Sequence, residues 1–225
     1  RAVRAKYRTT AGTVMISKQA RVALKRWVDE LRSGSHEGVP LAASSAFPAA
    51  ASPQAMSIYA DAAGDSDGAG FCAWTVRGSE LLLVEGRWTE PERRHLLICD
   101  LELAASTFGL VALQPELGGE FVYSFTDNTV AMAAMRNHSP STACMQQMTE
   151  HRVAWMLAEG FWEACERITS KSNLWADLGS RARTADVLAQ AAALGLSVRR
   201  VSVPEEWRAM LGQAAEEAAH AQAGL

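Results

Sequence analysis

At 225 residues and 24.3 kDa, with 48% hydrophobic residues, the chain has the length and apolar content to bury a sizeable core. Lysine and arginine number 22 against 25 aspartates and glutamates, and the resulting net charge of −3 excludes a chain that attracts nucleic acid by overall basicity. There is no run of about 18 apolar residues, and the opening "RAVRAKYRTT" lacks the apolar stretch of a secretory signal, so a soluble, intracellular protein without a membrane partner is expected.

The charge is unevenly spread. Residues 1–32 carry nine basic and two acidic side chains, a local +7, which leaves 13 basic against 23 acidic, or −10, for the remainder. Within this arm "SKQARVALKRWVDEL" puts Leu24, Trp27, Val28 and Leu31 at i, i+3, i+4 and i+7 behind Ser17 as N-cap, the pattern of an amphipathic helix. The first residue is Arg and not Met, which suggests a portion of a longer chain. Residues 33–55 turn to Gly, Ser, Ala and Pro and read as a linker, so the main domain is expected to begin at Met56.

"MSIYADAA", "GAGFCAWTV" and "ELLLVEGRW" are β-rich runs joined by short turns, which predicts three strands in an antiparallel meander. "LLICDLELAASTFGLVAL" has helical length and no Gly or Pro before Gly109, with Leu97, Leu101, Ala104, Ala105 and Phe108 on one face. A strand "EFVYSF", a short helix "NTVAMAAMRN", a longer helix from Ser141 to Gly160 and a strand "FWEACERIT" come next. "NLWADLGSR" then opens a helix, and a helical extension with one short strand, "SVRRVSV", fills residues 184–225. The four cysteines, at 72, 99, 144 and 165, lie far apart among apolar residues and are expected to be free, buried thiols.

Four acids fall at element ends or within an element: Asp61 on the first strand, Glu102 in the first helix of the main domain, Asp127 after the fourth strand and Asp177 in the helix after the fifth. A carboxylate buried beside an apolar strand is costly unless partnered, and several converging carboxylates repel one another unless cations lie between them. Mg²⁺ or Mn²⁺ suits such oxygen ligands, and a pair of ions about 3.5–4 Å apart forms the clamp for phosphodiester displacement. Taken singly, each acid has an ordinary alternative: Asp127 as a helix cap or an arginine partner, Glu102 on a solvated face, Asp61 closing a turn with Gly64.

Taken together, "IYADAAGDSDGAGFCAW", "LELAA", "FTDNTVAM" and "NLWADLGSR" resemble, in the same order, the four acidic motifs of the ribonuclease H domain of retroelement reverse transcriptases, gypsy-like and DIRS-like above all. The last is the most specific, with Asn173, Ala176, Asp177, Ser180 and Arg181 all in place, and the likeness spans residues 56–183. It implies an α/β, ribonuclease H-like fold with a five-stranded mixed sheet and helices on both faces. It also implies two Mg²⁺ or Mn²⁺ ions held by Asp61, Glu102, Asp127 and Asp177, and cleavage of the RNA strand of an RNA–DNA hybrid. Asp61 would bridge both ions, Asp127 would share one, and Glu102 would reach the ion whose water attacks. Asn128, Lys171 and Arg181 are the substrate-contact candidates, and Arg93 and Arg94 are candidates for phosphate contacts. In such polyproteins a Trp-containing helix like "LKRWVDEL" joins the ribonuclease H part to the polymerase part, the partner implied here; the polymerase Y/F-x-D-D signature is absent from this sequence.

The sequence departs from that pattern before the last motif. Where relatives read H-x-P-G, this chain has "RITSKSN", with Arg167 in the histidine's place. His138 and His151 lie in other elements and read as surface or packing residues, and the tryptophans as mostly core. Two rival readings stand beside the first: an inactive scaffold or nucleic-acid-binding module of this fold, and a metal nuclease of this fold acting on DNA.

Overall fold

The computed structural model describes Lys25, Val28, Arg32 and residues 56–64, 68–117, 121–137 and 140–224. The chain divides into two compact units, Arg1–Ala50 and Ala51–Leu225. In the first, Lys25, Val28 and Arg32 are helical and exposed, and the remainder of the expected amphipathic helix lies outside the described residues, as does the linker over 33–55.

Side-chain alternation organises the second unit. In β1 (Met56–Ala62), Ile58, Ala60 and Ala62 are buried on one face, while Tyr59 and Asp61 belong to the other. β2 (Gly70–Arg77) and β3 (Glu80–Arg87) follow as the expected antiparallel meander, with Asp61 opposite Cys72 and Ala73 opposite Val84. β4 (Phe121–Thr126) and β5 (Trp162–Arg167) add in parallel on the far side of β1. This is the expected mixed sheet of three antiparallel strands with two parallel additions.

The sheet has six strands, not the five expected. β6 (Ser197–Arg200) pairs in parallel with β3, giving the order β5-β4-β1-β2-β3-β6. Without it the outer edge of β3 would carry unpaired backbone N–H and C=O groups beside the fully buried Leu81, Leu82 and Leu83.

Seven helices are described in this unit: α1 (Glu90–His95), α2 (Ile98–Leu117), α3 (Thr129–Asn137), α4 (Ala143–Glu159), α5 (Leu174–Ser180), α6 (Thr184–Ala193) and α7 (Glu205–Ala223). The 3-10 turn Ser170–Ser172 precedes α5. α2 continues through Gly109 to Leu117. Gly109 is a point of close approach, since a Cβ there would come within 2.5 Å of Ala73 Cβ and 3.3 Å of Ile58. Leu97, placed by the sequence on the buried face, is 59% exposed, because it precedes the first turn of α2. α1 was not expected; Thr89 and Glu92 form a reciprocal capping box around Pro91 that starts it.

α2 packs on the face of β1 and β2 that carries Ile58 and Ala73, and α5 lies on the opposite face, against Cys72. Helices therefore cover both faces of the sheet. Buried Arg152 of α4 bonds Glu163 of β5 and Thr107 of α2, so its charge and donors are met inside the core. The residues from 184 onward pack within the same unit. From α7, Arg208 stacks its guanidinium 5.2 Å from the Phe108 ring centroid and 5.7 Å from that of Trp88, and bonds Glu92 at 3.2 Å.

Cys72, Cys144 and Cys165 are buried free thiols and Cys99 is a half-buried one. Trp88 is core, whereas Trp162 is 36% exposed. No described helix is long and apolar enough to cross a membrane.

Candidate metal centre

The C-terminal ends of β1 and β4 lie side by side because the two strands are parallel neighbours, and each delivers an acid there. Asp61 is the penultimate residue of β1, and Asp127 directly follows β4. Glu102 comes from the second turn of α2, which crosses β1. One carboxylate oxygen of each of Asp61, Glu102 and Asp127 lies within 4.8 Å of the others. They open into a cleft of about 430 Å³ that Arg93, Ser170, Asp177 and Arg181 also line.

Local structure frees these carboxylates. Asn128 caps α3, its Oδ1 accepting from the N–H groups of Val130 and Ala131, each at 3.0 Å. Asp127 is therefore spared the cap, and its Oδ2 accepts the hydroxyl of Ser170. Asp61 Oδ2 accepts the buried hydroxyl of Ser180 at 2.6 Å. α5 reaches Asp61 because Gly179 rests on Cys72, where a Cβ would lie 2.6 Å from Cys72 Cβ and closer still to its sulfur. Asn173, fully buried at the head of α5, donates to the Ala60 carbonyl at 2.9 Å and fixes the other end of the helix on β1.

Asp177 lines the cleft but stands outside the group of three. Its Oδ1 accepts from Arg181 Nε at 2.8 Å, an i,i+4 pair on α5. Lys171 is exposed on the 3-10 turn beside Ser170. His151 is exposed and bonds its own helix at the Gln147 carbonyl, while His138 lies outside the described residues. Sequence reading missed Ser170, for which no local signal exists, and the hydrogen-bonding role of Ser180, whose place in the last motif was a signal.

Electrostatics favours cations in this cleft. Burial, together with the neighbouring Asp127 and Asp177, raises the carboxyl of Asp61 to about 7, against the opposing Ser180 hydrogen bond. Burial and the charges of Asp61 and Asp127 raise that of Glu102 to about 9. Glu102 Oε2 is buried without a hydrogen-bond partner. An orphaned carboxylate oxygen beside two further carboxylates fits a hard divalent ion such as Mg²⁺ or Mn²⁺.

No protein-family model and no curated protein sequence matches the chain. Among solved structures it is similar to ribonuclease H1 of Halobacterium salinarum at 16% identity, over 58% of this chain and 98% of that one, with a TM-score of 0.43. The N-terminal RNase H domain of a Mycobacterium tuberculosis protein, solved as a fusion with maltose-binding protein, aligns at 20% identity over 61% and 99% of the two chains, with a TM-score of 0.40. A compost-derived RNase H1, LC11, aligns at 14% over 60% and 99%, with a TM-score of 0.41.

Proposed function

We propose that this chain is a metal-dependent endonuclease that hydrolyses the RNA strand of RNA–DNA hybrids, and that it belongs to the reverse transcriptase polyprotein of a retroelement. The observation that carries the catalytic reading is the convergence of Asp61, Glu102 and Asp127, three acids far apart in sequence, within 4.8 Å at one cleft. The retroelement context rests on the motif resemblance.

Asp61, Glu102, Asp127 and Asp177 would hold two Mg²⁺ or Mn²⁺ ions. When bound, such ions supply a water of lowered pKa and stabilise charge on the leaving oxygen. The residues keep the donor set in place. Ser180 orients Asp61, Ser170 orients Asp127, and Arg181 holds Asp177 at the cleft wall. In-line attack by a water oxygen would form the bond to phosphorus as the bond to the 3′-oxygen breaks, the water giving up a proton to solvent and the departing oxygen taking one from it, to leave a 3′-hydroxyl and a 5′-phosphate. Contacts to consecutive 2′-hydroxyls across a wide minor groove would distinguish RNA from DNA. Asn128, Lys171 and Arg181 would make such contacts; support for this is that Arg181 lines the cleft and that Asn128 and Lys171 are sequence neighbours of Asp127 and Ser170.

The test presents matched RNA–DNA hybrid, double-stranded DNA and double-stranded RNA to the protein, each with Mg²⁺ or Mn²⁺. Cleavage confined to the RNA strand of the hybrid, and abolished by Asp127→Asn, is expected. Cleavage of DNA would replace the substrate assignment, and absence of both cleavage and Mn²⁺ binding would leave a scaffold.

A further inference from the structure

Two cationic side chains, Arg93 and Arg181, line the carboxylate cleft. Arg181 is tied to Asp177 within the site, at 2.8 Å. Arg93 belongs to α1, the helix that the sequence did not announce, and its pair with Glu90 at 2.9 Å is an i,i+3 surface pair in which Glu90 is 68% exposed. Arg93 and Leu96, three residues apart, share the face of α1 that borders the cleft, while Arg94 is exposed and does not line it.

α1 is fixed from behind. Glu92 is buried, closes the capping box with Thr89, and accepts Arg208 Nη2 from α7 at 3.2 Å. His95 Nδ1 and Gln222 Oε1 of α7 lie 2.7 Å apart. A guanidinium carried on a short helix clamped to the C-terminal helix is set at the cleft mouth in advance of any ligand, so less freedom is lost when it pairs with a phosphate oxygen.

We propose that Arg93 grips a non-bridging phosphate oxygen of the nucleic-acid strand entering the cleft, with α7 as the brace that sets its position. This rests on the nuclease reading above and names a substrate contact within it. Loss of one phosphate contact weakens binding uniformly across sequences and lowers the salt dependence of binding by about one counterion.

The test compares wild type, Arg93→Ala, Arg93→Lys and Arg77→Ala. The last removes an equal charge at the end of β2 away from Cys72, the partner of Asp61. Hybrid affinity is read by fluorescence anisotropy with Ca²⁺ over a salt series, and kcat and KM are read with Mg²⁺. Arg93→Ala is expected to raise Kd and KM about tenfold and to lower the log–log salt slope by about 1, with Mn²⁺ affinity unchanged. Arg93→Lys should recover part of the loss, and Arg77→Ala should stay near wild type. If wild type cleaves hybrid while Arg93→Ala and Arg77→Ala behave alike, the Arg93 contact is overturned and the nuclease reading stands. If wild type neither binds nor cleaves any duplex, both are overturned together.

Discussion

The hydroxyl of Ser180, at the end of α5, donates to Asp61 Oδ2 at 2.6 Å, so one hydrogen bond joins the last helix of the site to its first strand. Ser180 Oγ also lies 3.0 Å from the Asp177 carbonyl, and the residue is fully buried. The bond favours the ionised form of Asp61 against burial and neighbouring acids. Ser180→Ala is expected to cost about 1 kcal/mol of stability, to weaken Mn²⁺ binding, and to move the acidic limb of the pH–rate profile upward. An unmoved limb with unchanged Mn²⁺ affinity would show that Ser180 only packs.

Gly179 sets how near α5 comes to the sheet. Its missing Cβ leaves room for Cys72, and an alanine there would have to displace the helix or the strand. Gly179→Ala is expected to destabilise by about 1–3 kcal/mol, the range for overpacking, and to weaken metal binding by moving Ser180 off Asp61. Pairing it with Cys72→Gly removes both clashing atoms, and a double-mutant cycle on melting temperature should recover much of the loss. Strict additivity would locate the damage elsewhere.

The same residues show how far the sequence could be read. Asp61, Glu102 and Asp127 stood out because each sits in a motif, and Asp61 and Asp127 also because an acid at the end of an apolar strand demands a partner. Their meeting was expected from the motif resemblance and not from the residues themselves, since it depends on the parallel pairing of β1 with β4, two segments about 65 residues apart. Asp177 was expected as a fourth ligand and lines the cleft, but its pairing with Arg181, which competes for the same carboxylate, was not readable. The α1 helix had a readable signal in Thr89, Pro91 and Glu92, but six residues offer too little periodicity to register as a helix. β6 read as a strand without a place, because strand propensity does not name a neighbour and its partner Glu80–Leu83 lies more than a hundred residues earlier. Arg208 gave no sign that it would lie over three aromatic rings.

Metal-free stability should fall as pH rises. The carboxyls of Asp61 and Glu102 are raised to about 7 and about 9 in the folded chain, against about 4 in the unfolded chain. Between these limits the unfolded chain has released protons that the folded chain still holds, so stability declines from about pH 4 and levels off above about pH 9. On the proposed function, Mg²⁺ would bind the ionised carboxylates and oppose the decline. The rise in melting temperature caused by saturating Mg²⁺ is therefore expected to be small near pH 5 and to grow towards pH 8. Glu102→Gln should flatten the metal-free decline by removing one titrating group. A Mg²⁺ effect independent of pH, or an unaltered slope in Glu102→Gln, would contradict the assignment.

Asp127 and Asn128 are adjacent and should fail in opposite ways. Asp127 is half-buried and caps nothing, so Asp127→Asn should leave the melting temperature near that of wild type while removing a ligand charge from the cleft. Hybrid cleavage is expected to drop by at least a thousandfold, on the order of a single lost electrostatic group at a reacting centre, and Mn²⁺ affinity should fall with it. Asn128→Ala removes the acceptor for two N–H groups at the start of α3 and should cost about 1 kcal/mol, with metal binding intact. Asn128→Asp or Asn128→Ser, both competent caps, should restore the stability. If either capping variant regains stability while hybrid affinity stays low, the amide also touches substrate; if affinity returns with stability, capping is its whole role. Equal loss of stability in Asp127→Asn and Asn128→Ala would mean that the two neighbours share the helix cap, and the division of labour between them would be wrong.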